Sequence, residues 1–269
     1  MNALKILILF LLIPGSSYAG WVIVEDSRDS YGNSLIQTTF IQDNMIRFET
    51  PSSIAIIDLN NKIITMIFSQ YRVYWSGTTN DLRMNTLAIF DSELEQILIG
   101  LPEYKRKEID SIYFSIKQQI LDSTNYTSDE RIVVVETDVV DTLLGYNAVM
   151  HNILVDTTIR ESFWYTTEIQ PYNDINIGDM ISFMNQVNQG PRPNNVSNTR
   201  EYLDLLKNGM LLKSVEFLYD TNKYETIVTN IREADIASEF FLPPTNYREA
   251  ELSDILNLMP EENIGKSSR

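Results

Sequence analysis

The sequence lacks cysteine and has a single histidine among its 269 residues. Without thiols there are no disulfides, no thiolate metal sites and no cysteine nucleophile. The histidine, His151, shares a predicted strand face with Val149 and Ile153, which is typical of a structural residue rather than of a general base. No Gly-x-Ser-x-Gly elbow occurs to support a serine hydrolase. We therefore expect no catalytic residue, no metal site and no enzymatic activity.

Phosphate-binding loops and basic residues are also scarce. Neither Gly-x-Gly-x-x-Gly nor Gly-x-x-x-x-Gly-Lys occurs, so we expect no nucleotide and no other cofactor. Only 21 Lys and Arg stand against 37 Asp and Glu, giving a formal charge of −16. A field of that sign disfavours nucleic acid and anionic membrane surfaces. Carboxylate pairs abound, but sequence spacing does not reveal the separation across a cleft that an acid–base hydrolase needs, so none is assigned to a site.

Long apolar runs are missing after the N-terminus, which itself resembles a secretory signal peptide. Lys5 precedes an apolar run at residues 6–14, and the small residues Ser17 and Ala19 follow it. That run is shorter than the roughly 20 apolar residues that a spanning helix needs. We predict a signal peptide over residues 1–19 that is cleaved after Ala19. The mature chain is then expected to be periplasmic or secreted, and not membrane-spanning.

Two blocks of β-branched and aromatic residues, separated by Gly, Asn, Asp and Ser, predict a sheet. Several of the strands are apolar on both faces, which predicts covers on both sides of the centre of the sheet. Amphipathic stripes within 79–121 and 171–210 predict helices that provide such covers. The predicted strands are 21–26, 35–41, 45–49, 54–59, 63–68, 71–75, 132–140, 146–154, 159–167, 211–219 and 224–231.

The pattern as a whole predicts one α+β domain over residues 20–259. Its core is a curved antiparallel β-sheet, a half-open barrel of about eleven strands, covered by helices. The helical insertions fall at 79–121 and 171–210, a further helical segment is expected at 247–258, and the tail at 260–269 is predicted to be disordered. No linker rich in Gly, Ser or Pro divides the chain.

Short motifs in both blocks resemble a known family. They are Gly20-Trp-Val-Ile, the stretch 40–48, Ile54-Ala-Ile-Ile-Asp58, Thr142-Leu-Leu-Gly-Tyr146 and Ser162-Phe-Trp-Tyr-Thr166. Their order resembles an uncharacterised bacterial exported family, filed as domain of unknown function 4412. The layout of meander, helices and second meander is also similar to that of the periplasmic lipoprotein carriers (LolA- and LolB-like), whose curved sheet holds acyl chains under a helical lid. The resemblance implies an exported protein with a ligand cavity.

Four aromatic residues are the candidate ligand-binding side chains. Tyr71 and Trp75 share one face of a predicted strand, and Phe163 and Tyr165 share one face of another. On the concave side of a curved sheet such side chains line an apolar cavity. The alternative is that they fill a solid core.

Two functions follow from these alternatives. The first is an exported protein that binds an apolar or lipid-like ligand in the cavity of a curved sheet. The second is an envelope structural or protein-interaction module without a small-molecule ligand, which binds an envelope protein partner through a sheet edge or through the insert at 171–210. A filled core and an exposed apolar patch favour the second function.

Overall fold

The computed structural model of the protein describes residues 20–121, 132–187, 200–217 and 223–258. Two of the predictions concern segments outside these residues. They are the signal peptide at 1–19 and the disordered tail at 260–269.

Within the described residues the backbone forms twelve strands and five α-helices. Two short 3-10 helices, Pro171–Asp174 and Ser238–Phe241, connect them. The strands are β1 (Gly20–Asp29), β2 (Ser34–Gln42), β3 (Met45–Glu49), β4 (Ile54–Asp58), β5 (Ile63–Phe68), β6 (Val73–Thr78), β7 (Ile132–Leu143), β8 (Tyr146–Val155), β9 (Thr158–Thr166), β10 (Met210–Phe217), β11 (Lys223–Ala234) and β12 (Arg248–Glu249). The helices are α1 (Thr79–Leu98), α2 (Glu103–Leu121), α3 (Ile177–Val187), α4 (Arg200–Asn208) and α5 (Leu252–Leu258).

All twelve strands belong to one sheet, in the order β12-β6-β5-β4-β3-β2-β1-β11-β10-β9-β8-β7. The prediction of an α+β protein with an antiparallel sheet is confirmed. Over the described residues the sheet is open, with β12 and β7 at its edges. It contains one strand more than the eleven predicted, because β12 pairs in parallel with β6 through Arg248 and Glu249. Two residues are too few for an alternating pattern, and the sequence predicted a helical segment over 247–258 instead. The helix in the structure starts only at Leu252.

Tight turns join the consecutive strands of the first meander. Asp43 and Asn44, between β2 and β3, both have positive φ values, 52° and 64°. Asn and Asp tolerate this left-handed conformation better than other side chains, and two such residues in succession match the right-handed twist of a hairpin. This local chemistry explains why the strand boundaries in this block were predictable to within a few residues.

The centre of the sheet is apolar on both faces, as the sequence predicted. Neighbouring residues of β4 point to opposite faces. Ile57 belongs to the main core cluster, which also contains Phe183 of α3 and Ile255 of α5. Ile56 belongs to a second cluster, together with Phe241 from the chain after β11. The cover on this second face is therefore an irregular segment with a 3-10 helix, and not an α-helix.

The first predicted insertion is a helical hairpin, of which only one part covers the sheet. A capping box starts α1: the Asp81 amide donates to Thr78 Oγ1 (3.1 Å), and the Thr78 amide donates to Asp81 Oδ2 (2.9 Å). Leu82 and Ile89 of α1 pack against the main cluster, and Leu87 is buried. Beyond them α2 packs on α1, with the rings of Phe90 and Tyr113 stacked 4.6 Å apart.

Candidate functional site

The structure places the four predicted aromatic residues in two separate clusters. Trp75 of β6 is buried in the main core cluster, and Tyr71, in the turn before β6, packs against it. Phe163 and Tyr165 of β9 are buried in a third cluster. Seven strands, namely β5, β4, β3, β2, β1, β11 and β10, lie between β6 and β9. The structure therefore brings together the members of each pair, but it does not bring the two pairs together.

The described contacts of the β9 pair are with protein groups. Phe163 is 0% exposed, and its ring stacks on the ring of His151 with centroids 5.2 Å apart. The Tyr165 hydroxyl donates a hydrogen bond to the carbonyl oxygen of Leu205 in α4 (2.9 Å). These contacts are those of core residues that anchor α4 to the sheet. The role of the four aromatic residues in ligand binding stays a prediction.

A cavity of about 220 Å³ lies next to this anchor, between the sheet and α4. Strands β1, β10 and β11 form one side of it, while α4 and the 3-10 helix Pro171–Asp174 form the other. For comparison, a buried cavity of about 150 Å³ accepts benzene. The apolar residues that line it are Leu206, Met210, Leu211, Leu212 and Val228, and the polar ones are Glu25, Tyr172, Tyr202, Lys213, Ser214 and Thr226.

Glu25 is the carboxylate in this lining. A register shift in β1 between Val24 and Glu25 brings Glu25 opposite Val228 of β11, another lining residue. The amide of Gln37 on β2 donates to Glu25 Oε2 (3.3 Å). Burial raises the pKa of Glu25 above its ordinary value, and the hydrogen bond from Gln37 opposes that shift. The carboxyl group thus lies in a poorly hydrated place, where a donor or a cation stabilises its charge.

Two tyrosine residues complete the polar part of the cavity. Tyr172 comes from the 3-10 helix and Tyr202 from α4. Burial raises the pKa of both hydroxyl groups, and the charge of Glu25 adds to the effect. Both groups are therefore protonated at neutral pH, when each of them is able to donate or accept a hydrogen bond.

Two more carboxylates lie close to Tyr202. Glu161 of β9 is paired with Glu216 of β10, and the charges of both raise the pKa of the Tyr202 hydroxyl further. Burial, followed by the charge of Glu216, raises the pKa of Glu161 to about 7. The polar end of the cavity thus lies in a negative potential, while Leu206, Leu212 and Val228 make its other walls apolar. This arrangement suits a ligand with an apolar body and a cationic or hydrogen-bond-donating head.

His151 lies apart from this cavity, buried on β8. Its Nδ1 is 3.0 Å from the carbonyl oxygen of Val149, and its Nε2 is 3.5 Å from Glu136 Oε2. Among the residues that the structure describes, no group of three or more acidic or imidazole side chains is arranged to hold a metal ion. None of the described helices is both long and apolar enough to cross a bilayer.

Sequence reasoning missed Glu25, Tyr172 and Tyr202. They come from a strand, a 3-10 helix and an α-helix that are distant along the chain, so no motif connects them. The one available signal was Glu25 itself, a carboxylate that directly follows the apolar residues 21–24 of a predicted strand. Glu161 lies on the same strand face as Phe163 and Tyr165, but the sequence does not show that Glu216 is its partner across the sheet.

Comparison with known proteins gives only distant similarity. No family model matches the chain, and no curated protein matches it. Among solved structures it is similar to PNGF-II in a C2 crystal form, with 11% identity and a TM-score of 0.37, over 88% of this chain and 32% of that one. For PNGF-II in a P21 form the values are 12% and 0.35, over 89% and 32%. The chain thus spans about a third of the length of these structures, and neither similarity is high enough to assign a function.

Proposed function

We propose that this protein is an exported binding protein that holds a small amphipathic ligand in the cavity between β1, β10, β11 and α4. The observation that carries the proposal is the division of the cavity lining. Leu206, Leu212 and Val228 supply apolar walls, whereas Glu25 and the two tyrosine hydroxyls supply polar groups. Apolar walls beside convergent polar groups, in a concave space between packed elements, are a feature of small-molecule sites.

The size of the cavity restricts the apolar body of the ligand. About 220 Å³ exceeds a benzene-sized cavity but is smaller than the roughly 300–1,000 Å³ of sites for drug-sized molecules. A short alkyl chain or a single ring system fits such a space, whereas a complete diacyl lipid does not. The ligand is therefore smaller than the acyl-chain cargo of the lipoprotein carriers that the sequence layout resembles.

The charges around the cavity specify the head of the ligand. Glu25 in the lining, and Glu161 and Glu216 beyond Tyr202, attract a cation and repel an anion. The lining also contains Lys213, whose ammonium group is paired with Glu225 (2.9 Å). Ion pairing in a partly desolvated place is stronger than in water, because less solvent screens it. We therefore propose a primary amine or a similar cationic group as the head.

Titration with three six-carbon probes tests this proposal. Hexylamine, hexanol and hexanoate share one tail and differ only in the charge of the head. We expect hexylamine to bind at least ten times more tightly than hexanoate by calorimetry at pH 7.5, with hexanol between them. Glu25→Gln should remove most of the difference, while binding of hexanol changes little.

A cavity-filling variant and its control complete the test. Val228→Phe places a larger side chain in the lining and should weaken all three probes alike, whereas Val135→Phe, an exposed position on β7, should leave them unchanged. Circular dichroism verifies that both variants are folded. If no probe binds to the wild-type protein, or if Val228→Phe binds as the wild type does, the proposal is wrong.

The second candidate function, a protein-interaction module, is favoured by the edge strand β7. Val135, Val139 and Val140 are exposed there, and among the described residues β7 pairs with β8 alone. An apolar open edge is a site where another chain adds a strand. Pull-down from an envelope extract with the wild type and with Val140→Lys tests it: a partner lost in the variant supports this function, and identical partners contradict it.

A further inference from the structure

The α1–α2 hairpin extends away from the sheet. Ile89 of α1 packs against the main core cluster, and residues 90–98 continue the helix by about 14 Å at 1.5 Å per residue. Over this length the partner of α1 is α2. Besides the stacked rings of Phe90 and Tyr113, Lys117 Nζ lies 2.8 Å from both carboxylate oxygens of Asp91. These contacts join the two helices at Phe90 and Asp91.

The end of this hairpin, residues 97–107, exposes large apolar side chains; we refer to it as the tip. Ile97 is 59% exposed, Ile99 is 79% exposed and Tyr104 is 68% exposed. Ile99 follows the last residue of α1, and Tyr104 is in the first turn of α2. Scattered single apolar residues are normal on a surface, but several on one protruding chain reversal mark a contact site.

The tip is also basic, in a chain whose formal charge is −16. Lys105, Arg106 and Lys107 are consecutive and exposed. Lys107 pairs with Glu103, the single acid of the tip (3.0 Å), and Arg106 Nε donates to the carbonyl oxygen of Leu101 (2.8 Å). The other acids of the hairpin lie outside the tip, and they are Asp81, Asp91, Glu93, Glu95, Glu108 and Asp110.

We propose that the tip binds the surface of an anionic phospholipid bilayer. In this arrangement Ile97 and Ile99 enter the boundary between head groups and acyl chains, Tyr104 lies at head-group level and the basic residues lie beside lipid phosphates. Apolar and aromatic residues next to Lys and Arg are the combination that interfacial membrane contacts use. This inference is independent of the ligand cavity, to which the tip does not contribute.

The acidic body of the protein opposes such binding only weakly. At physiological ionic strength exposed charges are screened over about 8 Å. The tip extends about 14 Å past Ile89, so the charges of the sheet remain largely screened. Glu108 and Asp110 of the hairpin lie within the screening distance of the basic residues and offset part of their attraction to the membrane. The expectation that a net charge of −16 disfavours anionic membranes therefore applies to the body and not to the tip.

Vesicle co-sedimentation tests the proposal on the mature chain from Gly20 onward. We expect it to bind vesicles of equimolar phosphatidylglycerol and phosphatidylcholine and to be released by high salt. It should not bind vesicles of phosphatidylcholine alone. Each basic residue near an anionic surface contributes about a fivefold change in affinity, so Lys105→Gln with Lys107→Gln should weaken binding by about 25-fold. Ile99→Ser should weaken it by about tenfold.

Matched controls exist at exposed positions elsewhere. Lys62→Gln with Arg72→Gln changes the net charge equally, and Tyr31→Ser replaces a residue that is 79% exposed, as Ile99 is. Both controls should bind as the wild type does, and circular dichroism verifies folding of every variant.

Three results would overturn the proposal. The first is no binding to anionic vesicles, and the second is equal binding by tip variants and controls. The third is self-association in analytical ultracentrifugation that the tip variants abolish while vesicle binding is absent, since the tip would then be an interface between copies of the chain.

Discussion

Glu161 of β9 and Glu216 of β10 lie directly opposite each other in the sheet, so two carboxylates face one another across neighbouring strands. Like charges in this position destabilise a sheet. Glu161 is half-buried and its pKa is raised to about 7, first by burial and then by the charge of Glu216. Near neutral pH the Glu161 carboxyl group is therefore partly protonated.

Glu161→Gln should change how stability depends on pH. The native protein holds the Glu161 proton up to about pH 7, whereas the unfolded chain loses it near the ordinary value of 4.5. Between these values the native state binds more protons, so the stability of the wild type falls as pH rises from about 4.5 to 7. The variant should lack the Glu161 part of this decrease and gain about 1–3 kcal/mol in free energy of unfolding at pH 8. The part due to Glu25, whose pKa burial also raises, should remain.

Urea unfolding at pH 5 and pH 8 measures this effect. Glu233→Gln is the control, because Glu233 is an exposed carboxylate on β11 and should leave the pH dependence unchanged. A wild-type protein whose stability is equal at both pH values would contradict the assigned shift, as would a Glu161→Gln variant whose decrease is as large as that of the wild type.

Gly209→Ala should destabilise the junction of α4 and β10. A Cβ atom at this position would lie 2.2 Å from the carbonyl oxygen of Thr166 and 2.6 Å from the Tyr165 hydroxyl oxygen. The backbone or the Tyr165 ring must therefore move, which strains the hydrogen bond to Leu205. We expect a loss of about 1–3 kcal/mol in thermal or urea unfolding.

Gly178→Ala provides the comparison for this substitution. Its Cβ would come no closer than 3.3 Å to another atom, the side-chain oxygen of Asn176, and the position is helical. We expect an unchanged or slightly raised stability there, because alanine favours helix more than glycine does. If both variants lose the same stability, close packing at Gly209 is not the cause.

Phe163→Ala should cost about 3–5 kcal/mol of stability, as buried aromatic side chains do when a cavity replaces them. Phe163 is 0% exposed and stacks on His151. Tyr31→Ala, in an exposed turn, should change stability by less than about 0.5 kcal/mol. If Phe163 lined a ligand cavity outside the packed core, Phe163→Ala would instead weaken ligand binding with little loss of stability. That result would support the ligand-binding role that the sequence predicted for Phe163.

The elements of the fold were predictable where local chemistry determines them. Asp43 and Asn44 mark a tight turn, and the neighbouring pair Ile56 and Ile57 correctly indicated apolar layers on both faces of the sheet. The parallel pairing of Arg248 with Val73 was not predictable. The two residues are far apart along the chain, and a strand of two residues is too short to show an alternating pattern.

The cavity could not be predicted for a related reason. The same alternating pattern occurs in two strands, with Tyr71 and Trp75 in one and Phe163 and Tyr165 in the other. This pattern does not show how many strands separate the two pairs in the sheet. Glu25 and Tyr202 line the same cavity. Their positions depend on the register shift in β1 and on the hydrogen bond from Tyr165 that anchors α4. Such encounters depend on tertiary packing, which alternation within a single strand does not encode.

Native mass spectrometry of the mature protein, purified without detergent from the envelope of the cells that produce it, tests the ligand cavity most directly. We predict a stoichiometric small adduct on the wild type that organic extraction identifies as a cationic amphipathic molecule, and its loss in Val228→Phe but not in Val135→Phe. A wild-type mass without any adduct, together with no mass gained on adding hexylamine, would contradict the account, as would an adduct that Val228→Phe retains.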